Sequence, residues 1–356
     1  MKRPTIREVA SHAGVSKATV SLVLRDSSQI PPITKARIRE SMTALGYVYN
    51  RRAAEMRSLR SRTLGLIVAN VRNPYFAELT MAVEERAHED GLTLILGCSA
   101  DDVGRQHELL RAMAEQRVDG VLVLPASQTR PADLKKTLGA AGLPHVLIAR
   151  SVPGYQCDYV GADNVASGKL LGEHLRERGA KKVAFIGGVE TSVPRQDRIQ
   201  GLLNGLAPDV LALAADLPSE GDAVFEPSGV VDAALAASVD AIVAYNDMYA
   251  FGIMSAIRAR GLRPGADVMI GSFDNVPEAS RQFPGLTTAD GFPQQVGKRA
   301  TELLLDALEG HEAKGAREVL FEPALRVRGS TVPVPAEALG EDSPQVFRDT
   351  SATVQA

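Results

Sequence analysis

The sequence predicts a small all-α head followed by an α/β core of two doubly wound parallel-sheet subdomains. Three observations carry that reading. Residues 5–46 combine helical apolar spacing, capping side chains and turn glycines in a way that makes three short helices. From Thr63 onward, short apolar runs alternate with amphipathic helical stretches, the pattern of parallel sheets covered on both faces. Charge divides at the same place. Residues 1–62 hold thirteen Lys/Arg against four Asp/Glu, yet the whole 356-residue chain has a net charge of −3, so the body is acidic. A basic head on an acidic body suits a chain that meets nucleic acid at one end.

Thr5 can cap the first helix, and Glu8 three residues on completes a capping box. Ile6, Val9 and Ala10 give that helix an apolar face, and Gly14 supplies a turn that needs positive φ. Ser16 caps the second helix, where Val20, Val23 and Leu24 face inward while Lys17, Ala18, Ser21, Leu22 and Arg25 face out. The third helix spans 34–45 and is closed by Gly46. Pro31 stands where a capping hydroxyl is expected, and Pro32 suits the first helical position, so this helix should form without its cap bond. Two small helices presenting a polar N-terminal face form a helix-turn-helix reader of the DNA major groove. A helical hairpin used only for packing is the alternative.

The run Val9-Ala-x-x-Ala-Gly-Val-Ser-x-x-Thr-Val-Ser21, with Leu45-Gly-Tyr47 and Asn50, resembles the LacI/GalR family of bacterial transcription regulators. The resemblance extends to the end motif Glu322-Pro-Ala-Leu-Arg-Val-Arg-Gly-Ser-Thr331. It implies base reading by Lys17, Ala18 and Leu22: the lysine can donate to guanine, and the alanine can touch a thymine methyl. Leu22 departs from the commoner arginine and cannot make a bidentate guanine contact, so the operator should differ at that base. Thr5, Ser16, Thr19 and Ser21 are implied phosphate positioners, although Thr19 and Ser21 serve equally well as ordinary helix-surface residues. Residues 49–62 form a basic, helix-capable linker, too short to be stable alone. In the family such a segment folds on DNA and wedges an aliphatic side chain into the minor groove. Here Met56 stands at the wedge, and Asn50, Arg51, Ala53 and Arg57 are implied DNA contacts; a solvated linker is the alternative. Residues 21–24 and 73–80 look most like the branch that includes the maltose-regulon repressor.

In the core, strands are predicted at 64–69, 92–96, 120–124 and 144–148, with helices from 73 through 88 and over 104–117. A second set runs through strand 158–161, helix 164–178, strand 183–186, helix 195–205, strand 241–244, helix 248–260, strand 268–271 and helix 294–309. The expected organisation is a head at 1–48, a linker at 49–62 and a core at 63–331. Within the core, an N-subdomain takes 63–160 plus 290–320 and a C-subdomain takes 161–289 plus 321–331. The resemblance implies a likeness to periplasmic sugar-binding proteins. Residues 332–356 are rich in Pro, Ser, Ala and acids and carry no apolar heptad, which favours a homodimer with a disordered tail over a coiled-coil tetramer.

Open parallel sheets bind ligands at the carboxyl ends of their strands. There the resemblance places Asn73, Tyr75, Phe76, Arg150, Arg198, Asn246, Asp274 and Phe292, an aromatic and polar set suited to a sugar. Each has a plainer alternative: Tyr75 and Phe76 as helix-start core, Asn246 as a helix cap, Arg198 and Asp274 as an ion pair across the cleft. Ala149-Arg150 stands where the family often has Asp-Arg. Losing an acid beside a cation tilts the expectation toward a phosphorylated or carboxylated sugar. Gly187-Gly188 reads as a loop at the cleft rather than a phosphate loop.

No Gly-rich phosphate loop, metal-ligand spacing or nucleophile elbow is present, and the six histidines are scattered. The expectation is therefore no enzyme, no cofactor and no metal. With no apolar run of membrane length and no signal-peptide pattern, no membrane and a cytoplasmic location are expected. Cys98 and Cys157 read as reduced thiols. The function expected is a homodimeric repressor on palindromic operator DNA, controlled by a small sugar or sugar derivative. A cytoplasmic sugar-binding or sugar-processing protein with a non-regulatory head is the alternative.

Overall fold

The computed structural model describes residues 4–24, 27, 29–47, 61–206, 211–215, 227–311 and 315–332. The chain divides into two units, residues 1–61 and 62–356.

In the first unit, helix α1 spans Ile6–His12, α2 Lys17–Leu24 and α3 Pro32–Leu45. The capping box forms: Glu8 N donates to Thr5 Oγ1 at 3.4 Å and Thr5 N donates to Glu8 Oε2 at 2.6 Å. Gly14 turns the chain at φ 63°. Ser16 Oγ accepts from Thr19 N at 3.0 Å, capping α2. Helix α3 begins two residues before its expected start, with Pro32 in its first turn and no side-chain cap bond from Pro31. Val9, Val20 and Ile38, one from each helix, are fully buried together with Ala10, Ala13 and Val23. That small core holds the three helices in place.

The second unit contains two six-stranded sheets. The first orders its strands β11-β5-β4-β3-β1-β2, from β1 (Thr63–Val68), β2 (Thr93–Cys98), β3 (Gly120–Val123), β4 (His145–Ile148), β5 (Asp158–Ala162) and β11 (Glu318–Phe321). The second runs β12-β10-β9-β8-β6-β7, from β6 (Val183–Ile186), β7 (Leu211–Ala215), β8 (Ala241–Ala244), β9 (Met269–Asp274), β10 (Thr287–Asp290) and β12 (Leu325–Arg326). Every pairing is parallel except β10 with β12. Each sheet thus carries the 2-1-3-4-5 order of a doubly wound fold, whose ligands sit beyond the strand carboxyl ends. Strand 158–161, grouped in sequence with the second set although the expected N-subdomain bound at 160 takes in most of it, forms β5; it pairs β4 and β11 and belongs to the first sheet.

Helices cover both faces. In the first lobe, Leu64, Leu66 and Val68 meet α4 (Pro74–Glu89) and α12 (Pro293–Leu308) on one face. Ile67, Val121 and Val123 meet α5 (Val103–Glu115) and α6 (Pro131–Leu134) on the other. The second lobe has Ala184, Ile186 and Ile242 against α9 (Ser228–Ala236) and α10 (Asp247–Ala259). Its opposite face sets Phe185, Val243 and Phe273 against α7 (Asn164–Glu177) and α8 (Val193–Gly205). A short α11 (Pro277–Arg281) follows β9. No helix of the described residues is long and apolar enough to cross a membrane.

Candidate functional site

The head exposes the N-terminal turn of α2. Ser16, Lys17 and Ala18 are exposed, Thr19, Ser21 and Leu22 half-exposed, and Thr5 is exposed at the start of α1. Helix N-termini carry a partial positive charge, so a lysine there and no acid in the first turn is adverse for the isolated helix. The same arrangement favours an anionic or electron-rich partner. Thr19 has a local role as well, its Oγ1 lying 2.8 Å from Ser16 Oγ. The expected linker contacts Asn50, Arg51, Ala53, Met56 and Arg57 lie outside the described residues.

In the core, a cleft opens where the strand carboxyl ends of the two lobes face each other. Its lining includes Asn73, Tyr75, Phe76, Arg150, Arg198, Asn246 and Asp274, seven of the eight residues expected there. Phe292 is a correction: it is not among the lining residues. It takes a left-handed φ of 52° just before α12, and its ring lies 5.9 Å from that of Phe321. Gly291, immediately before it, lines the cleft in its place.

Several expected alternatives hold simultaneously with the cleft position. Asn73 Oδ1 caps α4 by accepting from Tyr75 N at 3.0 Å, while its Nδ2 donates to Asp274 Oδ2 at 3.3 Å, joining the first lobe to the second. Asn246 caps α10 through Tyr249 N at 3.1 Å. Tyr75 is buried, and its hydroxyl donates to Gly291 O at 3.3 Å. Arg198 and Asp274 do form an ion pair, at 3.4 Å. Both residues belong to the second lobe, so the pair does not cross the cleft; Asn73 makes the crossing instead. The Arg198 guanidinium also donates to Asn164 Oδ1 at 2.9 Å and Tyr245 O at 2.5 Å, and it stacks over the rings of Phe273 and Tyr245. It is held on every side.

Arg150 is 8% exposed and pairs with Asp101 at 2.6 Å. Burial by itself would lower its pKa, but the charge of Asp101 and contact with Tyr245 more than offset that, so the guanidinium stays charged. Asp101, Ser127, Asn164, Ser192, Tyr245 and Tyr249 also line the cleft and were not anticipated. The rule that could have found them is positional: Asp101, Ser127 and Asn164 follow β2, β3 and β5 just as Arg150 follows β4. Gly188 lines the cleft as expected of its loop. The open volume is about 80 Å³, several times the ~10–15 Å³ that a single water needs, so hydroxyl groups of a small polyol can enter. Among the described residues no three His, Cys, Asp or Glu side chains gather as a metal site.

A helix-turn-helix head joined to a two-lobed core, whose cleft sets polar groups among aromatic rings, defines a DNA-binding regulator with a ligand-binding domain. Comparison with known proteins agrees. Residues 5–50 match the model of bacterial regulatory proteins of the lacI family, and residues 64–312 match a periplasmic binding protein domain. The chain belongs to the lacI family of transcriptional regulators. It is 32% identical over 343 residues to the HTH-type transcriptional regulator CelR of Thermobifida fusca, covering 92% of this chain and 98% of that one. It is 30% identical to the HTH-type transcriptional repressor PurR of Mannheimia succiniciproducens, with the same coverage. Among solved structures, a transcriptional regulator CelR–cellobiose complex is 28% identical with a TM-score of 0.66, covering 92% of this chain and all of that one. The lac repressor dimer bound to operator and the anti-inducer ONPF, at 23% identity, shares the fold with a TM-score of 0.80 over 93% of this chain and all of that one. These relatives support the family rather than the particular branch suggested by residues 21–24 and 73–80.

Proposed function

We propose that this regulator is a repressor that binds a palindromic operator as a homodimer in the cytoplasm and takes a sugar or sugar derivative in the core cleft. The observation that carries the reading is one chain holding both an exposed Lys17–Ala18 turn on a helix-turn-helix and a cleft of paired polar groups around aromatic rings. In this reading residues 1–48 are the head, 49–62 the linker and 63–331 the core. Lys17, Ala18 and Leu22 face bases, while Thr5, Ser16, Thr19 and Ser21 position phosphates. The linker residues Asn50, Arg51, Ala53, Met56 and Arg57 complete the contact at the operator centre. The two-fold symmetry of a dimer matches that of a palindrome.

Support for the ligand comes from the CelR–cellobiose complex, and for the dimer on operator from the lac repressor structure. We read the cleft as a binding site and not a catalytic one, since these relatives are regulators. That also disfavours a sugar-binding or sugar-processing protein with an idle head. The Asn73–Asp274 link gives ligand and lobe movement a shared contact. A coupling of about 1–3 kcal/mol, or 5–150-fold in operator affinity, is the usual scale.

Retention of genomic fragments, including the chain's own upstream region, at two salt concentrations tests the DNA reading. One palindromic fragment should be held tightly, and the hold should weaken steeply with salt. A sugar panel should then change that retention. Equal, weak retention of all fragments with and without sugars would refute the reading.

A further inference from the structure

The charged side chains lining the cleft are two guanidiniums and two carboxylates, and each is already matched. Arg198 has Asp274; Arg150 has Asp101, which comes from a different strand end. Asp101 is fixed by more than that pair. Its Oδ1 accepts from Arg150 Nη1 at 2.6 Å and Ser127 N at 2.9 Å, and its Oδ2 accepts from Ser127 Oγ at 2.5 Å. Arg150 Nη1 also donates to Pro125 O at 2.6 Å. One polar atom of this group is left over: Arg150 Nε is buried and has no hydrogen-bond partner among the described residues. A buried N–H without an acceptor is costly and marks a place for a ligand atom or water.

We propose that Asp101 restricts this cleft to uncharged, polyhydroxylated effectors, with Arg150 Nε donating to a neutral oxygen of the bound molecule. This rests on the cleft being the effector site, as proposed above, and it narrows the class of effector. A lone buried guanidinium would attract phosphate or carboxylate bidentately. Beside Asp101 its charge is balanced, and an incoming anion meets that carboxylate in a site where water screens poorly. A hydroxyl or ring oxygen meets no such repulsion and satisfies Nε. The acid that the sequence lacks at Ala149 is supplied through space by Asp101, so the expectation of an anionic sugar is reversed.

The test is calorimetric titration of the full chain with neutral mono- and disaccharides and with the uronic acid and 6-phosphate of each. A neutral member should bind, with its anionic counterparts at least tenfold weaker. Asp101→Asn should narrow that ratio at least tenfold. Preference of the wild type for an anionic member, or an unmoved ratio in a folded D101N, overturns the proposal while leaving the cleft an effector site. Binding of no member, with operator retention intact, overturns the sugar reading and this proposal together. D101N leaves Arg150 unpaired; if it does not fold, the double variant D101N/R150M removes both charges. It should bind the neutral member at least fivefold more weakly than wild type and with a narrower ratio. Unchanged affinity and ratio there refute the assignment.

Discussion

Replacing Gly168 with alanine should weaken effector binding without substituting any residue that lines the cleft. Helices α7 and α8 approach through four glycines: Gly168 and Gly172 on one, Gly201 and Gly205 on the other. A Cβ at 168 would lie 2.3 Å from Arg198 O, and at 172, 2.6 Å from Leu202 O. At 201 it would lie 2.0 Å from Val165 O, and at 205, 2.2 Å from Lys169 O. All four obstacles are backbone atoms, so no side chain can swing away. The helices must part by roughly 1 Å to restore an ordinary contact of about 3.5 Å. Overpacking of this kind costs about 1–3 kcal/mol, a fall in Tm of about 2–12 °C for a domain of this size. The functional effect follows from which atom is struck. The carbonyl facing Gly168 belongs to Arg198, whose guanidinium reaches Asn164 at the start of α7 and Asp274 in the cleft. Pushing α8 outward displaces that guanidinium, and a tenfold loss of effector affinity is expected. Urea melts and calorimetric titration of the effector measure both. Gly229→Ala on α9, where an added Cβ meets nothing within 4 Å, is the control and should be neutral or stabilising by up to ~1 kcal/mol. Wild-type stability and affinity in G168A, or equal harm from G229A, would refute this account.

Other outcomes follow from single residues. Asp247 is wholly buried; burial and the charge of Asp274 push its carboxyl up to about 7, against the pull of hydrogen bonds from Ser272, Thr288 and Val276 N. The folded chain therefore keeps a proton that the unfolded chain has released by about pH 4. The stability this supplies is full below that pH and is lost as pH rises through about 7, up to about 4 kcal/mol in all. Asp247→Asn should remove this falling contribution from urea melts taken across pH 4–8, and a slope identical to wild type would contradict it. Ile38→Ala hollows the fully buried centre of the head and should cost about 2–5 kcal/mol, abolishing operator retention while effector titration by the core is preserved. Lys17→Ala should weaken retention of the preferred fragment by about 1–3 kcal/mol if the lysine reads a base, whereas loss of a phosphate contact would weaken all fragments alike and reduce the salt slope.

The head is legible from sequence because its signals are local: Thr5 and Glu8 cap within one turn, and Ile6, Val9 and Ala10 recur at helical spacing. Core strands with continuous apolar runs, such as 183–186 and 241–244, are legible for the same reason. β10 is not. Its Thr-Thr-Ala-Asp has no apolar run, and Thr287 is buried only because Ser330, Arg328 O and Thr331 satisfy it from more than 40 residues away. β7, Leu211–Ala215, is built from leucine and alanine and reads as helix by propensity. The lobe to which strand 158–162 belongs depends on crossovers that no single stretch encodes. The cleft follows the same division. The family resemblance located Asn73, Arg150 and Asp274 at strand ends, while partnership did not follow from position. Asp101 becomes the counter-charge of Arg150 only once β2 and β4 lie in one sheet, separated by β1 and β3.

The backbone around the cleft explains why these positions hold the residues they do. Among the described residues nine non-glycines have positive φ, and six of them (Ala100, Asp101, Ala149, Asp274, Asn275 and Phe292) fall just past or at strand carboxyl ends, the first four lining the cleft. Arg117 and Ser238, by contrast, follow helix ends, where a left-handed residue is an ordinary stop. At the cleft each such residue costs of order 1–3 kcal/mol, less for Asp and Asn. Glycine would relieve that cost. It occupies Gly187 and Gly188, where an added Cβ would strike the rings of Tyr249 and Tyr245 at 2.9 and 2.8 Å. At 101 and 274 glycine would delete the carboxylates that balance Arg150 and Arg198. Removing one partner of a buried ion pair leaves the other uncompensated, typically a loss of about 3–5 kcal/mol. Losing the pair costs more than the strained backbone does, so aspartate stays at both sites.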